Sequence, residues 1–308
     1  MKKWFRRTLW TVGFLAAASV SWRIYYIHKS DKMFEERMSK YTLVKETNAF
    51  VEAAPRVFVP SGKTLPLKRI VLFLHGFVRS PKFFQLLTDE LEQQQLAYYA
   101  PRLLAHGINS QHLLQVIQKE DWLRDGIEAF DFASKLADKV DIVGHSLGGY
   151  SAAEFLRLRK DSPKVGLAVL LSPNFAVTPS RETIKSLTQI PVLSDIVLWV
   201  KPYASIPSTM EYEFVIYDHD PFPTSSIKSL WEMQDLNTPE ALGQIKAEEV
   251  HVFMTPMDSL SGYKEVREKL EASGLKHEFH TLENATHAFL DDKDRKEKAE
   301  MITKILLK

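Results

Sequence analysis

The chain has no cysteine among its 308 residues. Disulfides, thiolate nucleophiles and thiolate metal sites are excluded outright. The compartment stays open, because a disulfide-free fold survives in either redox environment. Charge of one sign is also lacking. Lys+Arg number 40 and Asp+Glu 39, a formal net charge of +1, so no global field attracts nucleic acid. There is no Gly-x-Gly-x-x-Gly, and Gly62-Lys63-Thr64 lacks the first glycine of a Walker loop, Val57 standing in its place. Both common glycine-rich phosphate cradles are thus missing. Long apolar runs are scarce: the uncharged run Thr8–Trp22 is shorter than the roughly 20 residues a membrane span prefers.

Lys2, Lys3, Arg6 and Arg7 precede that run and Arg23 ends it. Counting from Trp4 to Ile27 restores the length of an uncleaved anchor over residues 1–29, with Arg23 snorkelling and Trp4, Trp10, Trp22, Tyr25 and Tyr26 at the interfaces. The same residues also read as a signal peptide with Ala16-Ala17-Ala18 as its cleavage site, or as a peripheral helix. Arg6-Arg7 resembles a twin-arginine signal with incomplete flanks. The basic start favours a membrane-anchored chain whose body lies outside the cytoplasm, a bias that Arg23, Lys29 and Lys32 weaken. Export after signal cleavage is the alternative. Residues 30–54 read as a charged linker or rim helix.

Residues 55–308 read as one large α/β domain. Strand-like apolar runs at Ile70–Leu74, Ala97–Ala100, Val140–Val143, Leu167–Leu171, Val250–Met254 and Glu278–Leu282 suit a parallel sheet buried on both faces. Helical patterns at Pro81–Gln95, Asp121–Lys139, Gly149–Arg159, Gly262–Ser273 and Arg295–Leu307 alternate with them. That alternation predicts a doubly wound, mostly parallel sheet with right-handed crossovers. Ligands sit beyond the carboxyl ends of such strands. Residues 174–243 break the alternation with mixed, proline-dotted sequence and read as an insertion. Its apolar stretch from Ile190 to Val200 is expected to be core, with an acyl-pocket wall or a lipid-facing surface as the sharper alternative.

Val140-Asp141-Ile142-Val143-Gly144-His145-Ser146-Leu147-Gly148-Gly149 is a buried strand running through Gly-x-Ser-x-Gly into a helix. A serine nucleophile on a sharp strand-to-helix turn needs glycines where side chains would clash. Ser146 is the expected nucleophile, with His145 as packing support beside it. A tetrahedral intermediate needs two preplaced donors. Leu147 N–H, after the nucleophile, and Phe77 N–H, after the strand ending Leu74-His75-Gly76, are the expected pair. In this arrangement the acid and then the base follow the serine. Among His219, His251, His277, His280 and His287, only His287 follows the last strand on a small-residue loop, so it is the expected base. Asp258, on the loop after Val250–Met254, is the expected acid; a helix N-cap is its bland alternative. Asp218 and Asp220 fall in the insertion, and Asp291 and Asp292 read as a solvated charge run.

Together, Leu74-His75-Gly76-Phe77, Gly144-His145-Ser146-Leu147-Gly148-Gly149, Asp258 and His287 resemble the carboxylesterase and monoacylglycerol lipase group of α/β-hydrolases, which shades into serine-aminopeptidase-like sequences. Glu120-Asp121-Trp122-Leu123 is similar to the start of that group's helix before the nucleophile strand. The resemblance runs from Ile70 to the C-terminus. It implies the α/β-hydrolase fold, a helical cap over residues 174–243, hydrolysis of a small-molecule ester or lipid, and no cofactor or metal. Arg79 departs from it, standing where a small residue is usual. An aminopeptidase or amidase on the same residues is the first rival, with Glu211, Glu213, Asp218 and Asp220 available to bind a free amine. A non-catalytic binding protein of this fold is the second.

Overall fold

The computed structural model describes residues 2–205 and 221–308. Pro207, Glu211, Glu213, Asp218, His219 and Asp220 lie outside the described residues. The chain opens with α1 (Lys2–Met38), the hairpin strands β1 (Leu43–Val44) and β2 (Ala49–Phe50), and the edge strand β3 (Arg56–Phe58). Then come β4 (Leu67–Leu74), α2 (Gln85–Gln93), β5 (Tyr98–Ala100), α3 (Lys119–Leu136), β6 (Ala137–His145), α4 (Leu147–Leu158) and β7 (Val165–Leu171). Between β7 and the next sheet strand stand α5 (Pro179–Thr188), α6 (Pro191–Val200), β8 (Tyr203–Ala204), β9 (Phe222–Pro223), α7 (Ser225–Leu236) and α8 (Pro239–Leu242). The chain ends with β10 (Val250–Met254), α9 (Tyr263–Ser273), β11 (Glu278–Thr281) and α10 (Arg295–Leu306).

Seven strands form one sheet in the order β11-β10-β7-β6-β4-β5-β3. All neighbours are parallel except β3, which pairs antiparallel with β5. This is the α/β-hydrolase fold. Every residue of β7 and β10 is buried, as strands covered on both faces require. On one face Leu72, Leu74 and Ile142 pack with Trp122 of α3 and Phe155 of α4. On the other, Val71, Phe73 and Val169 pack with Leu87 of α2 and Ile302 of α10. Burying such residues contributes about 1.5–3 kcal/mol each.

All six anticipated strands are present. The helix expected to reach Lys139 stops at Leu136, because the backbone from Ala137 pairs with β4, Leu67 opposite Ala137 and Arg69 opposite Lys139. Ladder pairing there overrides the local helical pattern. Strand β3 went unanticipated: three residues are too few to carry a period.

The N-terminal half departs further from expectation. α1 runs unbroken past position 29, where anchor and linker were divided. Its last turns bury Phe34 and Met38 against Phe50 and Ala53. No helix among the described residues is long and apolar enough to cross a membrane. Arg23, Lys29, Asp31 and Lys32 interrupt the apolar run before it reaches spanning length. The Ile190–Val200 stretch is also not core. Ser194 is the buried residue of α6, while Val192, Ile196 and Trp199 are exposed. Helix α6 lies on the outside of the cap, with only part of its surface turned inward.

Candidate active site

Four parallel strands end on the same side of the sheet and carry the expected site residues. β6 passes directly into Ser146, the residue before α4. Its backbone has φ 51° and ψ −110°, a strained conformation for any residue with a Cβ. The glycines either side make the turn possible. A Cβ on Gly144 would lie 2.5 Å from the Gly148 carbonyl oxygen, and one on Gly148 only 1.9 Å from that of Leu74. Hydrogen bonds hold the turn. Ser146 N–H donates to Leu171 O (2.9 Å), and Ser146 O accepts from Tyr150 N–H (3.1 Å) and Asn174 N–H (3.2 Å).

Leu147 opens α4, so its N–H has no acceptor within the helix. β4 leads into the His75-Gly76-Phe77 turn. Buried His75 fixes this turn: its Nδ1 donates to Gly76 O (2.9 Å) and its Nε2 accepts from Leu103 N–H (3.0 Å). Burial, with His106 nearby, holds the His75 pKa well below the usual imidazole range, which suits the neutral tautomer these bonds require. A Cβ at Gly76 would fall 2.6 Å from His145 Nδ1, so the turn passes close over the strand that carries Ser146.

β10 leads to Asp258 and β11 to His287. Their side chains meet at 2.8 Å, Asp258 Oδ2 to His287 Nδ1, and both are buried. The other carboxylate oxygen of Asp258 accepts Leu260 N–H and Ser261 N–H, each at 2.8 Å. A carboxylate only accepts, so Nδ1 carries the hydrogen, and in the neutral ring Nε2 holds the lone pair. His145 supports the His287 loop: its Nε2 donates to His287 O (3.1 Å) and its ring packs on Phe83 at 4.3 Å. Desolvation keeps the His145 pKa well below the usual range. Ser146, His287 and Phe77 line one cavity of about 390 Å³, walled by apolar side chains such as Val177, Leu230 and Trp231.

The other histidines serve elsewhere. His251 and His280 face each other at 3.1 Å across β10 and β11, and His277 Nδ1 donates to Leu275 O. His251, Glu278 and His280 have side chains of metal-binding type grouped closely enough to share an ion, but they do not line the cavity.

Asp291 and Asp292 correct the sequence reading: both are buried, not solvated. Asp292 accepts from Thr286 N–H (2.9 Å), Thr286 Oγ1 (2.6 Å) and Lys298 Nζ (2.7 Å). It therefore ties down the loop that carries His287. Asp291 pairs with Arg79 at 2.8 Å; burial raises its pKa to about 6 against the pull of Arg79. Arg79 lines the cavity and is 4% exposed, which explains how an arginine stands after the Phe77 turn. Sequence alone held no signal for this pair, since 212 positions, 79 to 291, separate its members. Asp291→Ala is expected to cost about 3–5 kcal/mol of stability by removing the carboxylate that balances a buried guanidinium. Urea unfolding with an unchanged m-value would read it; a loss below about 1 kcal/mol would mean Arg79 finds water instead.

A model of the family described as serine aminopeptidase, S33, matches residues 66–294. Among solved structures the fold is similar to that of the metagenome-derived lipolytic enzymes LipS and LipT, at 18% identity over 83% of this chain and 98% of that one, TM-score 0.69. It is also similar to a Paleococcus ferrophilus monoacylglycerol lipase, at 18% over 82% and 97%, TM-score 0.61. A soluble variant of the Saccharomyces cerevisiae monoglyceride lipase with a substrate analogue aligns at 14% over 82% and 90%, TM-score 0.62. At these identities the likeness is one of fold. No curated protein matches the chain.

Proposed function

The chain belongs to the serine aminopeptidase family of α/β-hydrolases, and from that premise we propose that it is a serine hydrolase cleaving carboxylic esters through an acyl-enzyme. The observation that carries the reading is the buried His287–Asp258 pair (2.8 Å) opening into the same cavity as Ser146. His287 Nε2 takes the Ser146 proton, and Oγ bonds to the ester carbonyl carbon. The Phe77 and Leu147 N–H groups hold the resulting oxyanion. The C–O bond to the alcohol then breaks as His287 returns the proton to it. Water, deprotonated by His287, attacks the acyl carbon; the C–Oγ bond breaks, His287 returns the proton to Ser146 Oγ, and the acid leaves.

Ester is favoured over peptide by the cavity's charge. Among the described residues the charged side chains lining it are Arg79, Arg181, Lys201 and Lys228. A free α-amine would meet cations there, whereas an apolar acyl chain fits the remaining wall. We divide the chain accordingly into residues 1–29 as a membrane-directing segment, 30–54 as a connecting helix and turn, and 55–308 as the hydrolase domain with a cap over 174–243.

Turnover of a p-nitrophenyl ester series tests the reading against aminoacyl p-nitroanilides. The expected kcat/KM rises about fourfold per added methylene until the cavity is full, from about 0.8 kcal/mol per buried CH₂. Faster turnover of the anilides would overturn the ester assignment.

A further inference from the structure

Helix α6 is held at its end from outside the cap. A helix leaves its last four carbonyls without intrahelical donors. Here Val197 O accepts from Lys201 N–H at 2.8 Å. Leu198 O and Trp199 O both accept from one guanidinium nitrogen of Arg23, at 2.9 Å each. Val200 O accepts from the Trp22 indole N–H at 3.0 Å. All four are satisfied, three of them by α1. The Arg23 charge also sits at the negative end of the α6 dipole and 4.7 Å from the centre of the Trp199 ring. The Trp199 N–H in turn donates to Ser19 Oγ at 2.7 Å. These contacts join a segment outside the family match to the cap of the candidate site.

Both joined helices expose large apolar side chains. Phe14 is 73% exposed on α1; Val192 and Ile196 are 68% and 52% exposed on α6. An apolar surface of this kind marks an interaction site. Three features select a lipid surface as its occupant. Residues 1–30 carry six Lys and Arg and no Asp or Glu, which complements anionic head groups. Trp10, Trp22 and Tyr25 on α1 are exposed and are of the types that seat at the membrane interface. Val197 and Leu198 of α6 and Ile184 of α5 also line the Ser146 cavity, so the helix that carries the exposed apolar residues is also a wall of the cavity. The uncharged run Thr8–Trp22 is about 22 Å long as a helix, short of the roughly 30 Å hydrocarbon core. It suits entry into one leaflet.

We propose that α1 and α6 form a single lipid-docking surface that seats the cavity mouth on a membrane, delivering acyl substrates from the leaflet to Ser146. The delivery rests on the ester-hydrolase reading; the docking does not.

The test is flotation of the full chain with vesicles of equal parts phosphatidylcholine and phosphatidylglycerol, and of phosphatidylcholine alone. The chain is expected to bind the anionic vesicles more strongly, and less so as salt rises. The double variants Phe14→Ser/Leu15→Ser and Val192→Ser/Ile196→Ser should each lower partitioning at least about tenfold, the loss of two buried side chains. Both should turn over a soluble short-chain p-nitrophenyl ester within about twofold of wild type. Unchanged binding of the α6 variant would overturn the joint surface and leave α1 as a separate anchor. Self-association lost in both variants, without vesicle binding, would make the occupant a second copy and overturn the proposal. Vesicle binding that follows the expected pattern in a chain without ester turnover would sink the hydrolase reading alone.

Discussion

Ser146→Ala is expected to lower kcat on a soluble ester by a factor on the order of 10⁶, the cost of removing the nucleophile from a cooperating serine–histidine–carboxylate set. Alanine keeps the Cβ, and the backbone strain at φ 51° is the same for either residue. The glycines that admit the turn are untouched, so the fold should survive within about 1 kcal/mol. What remains is catalysis by backbone donors and by binding alone. Burst kinetics and labelling by a fluorophosphonate provide the check: wild type should show both, the variant neither. Equal turnover by the two proteins would end the assignment of Ser146.

Asp258→Asn separates orientation of the base from mere packing. Asparagine is nearly isosteric, and its carbonyl oxygen can still accept Leu260 and Ser261 N–H. The cost comes at the other end. The amide presents N–H₂ to His287 Nδ1, where the carboxylate accepted a hydrogen at 2.8 Å. The imidazole must then place its hydrogen on Nε2, the atom that in the proposed mechanism accepts the serine proton. The expected loss in kcat is about 10⁴-fold, with little change in KM because the carboxylate does not line the cavity. Steady-state kinetics on one ester, beside a thermal melt, decide the point. A loss under about tenfold in a folded protein would reduce Asp258 to a turn-capping residue.

Much of this protein was legible in its sequence. The Gly144-His145-Ser146-Leu147-Gly148 pattern followed a β-run and preceded a helical one, and steric exclusion alone ties glycine to such a turn. The structure gives the reason in distances, 2.5 Å and 1.9 Å from a would-be Cβ to backbone oxygen. The sheet was legible because its central strands are buried on both faces and read as near-continuous apolar runs. Asp258 stood out because it follows the buried strand Val250–Met254, and His287 because it follows the last strand of the sheet on a small-residue loop.

Other features were misread for physical reasons. Asp291 and Asp292 sit among Lys293, Asp294 and Arg295, and a local run of charge reads as solvated. Their burial depends on Arg79, Thr286 and Lys298, partners that only the fold supplies. The α6 stretch failed the other way. Apolar composition reports affinity for a non-aqueous neighbour, and in a globular chain that neighbour is usually core.

The sequence by itself determined the architecture and the residues that could perform the chemistry, because burial period, turn sterics and element order are local or nearly local properties. The tertiary structure decided what no local pattern encodes. It brought the Asp258 carboxylate to the His287 imidazole, buried the Arg79–Asp291 pair, and laid α1 along α6 with Arg23 at its end. Each of these joins residues far apart in the chain, and an ion pair or an end-cap between distant elements leaves no period in the sequence that makes it.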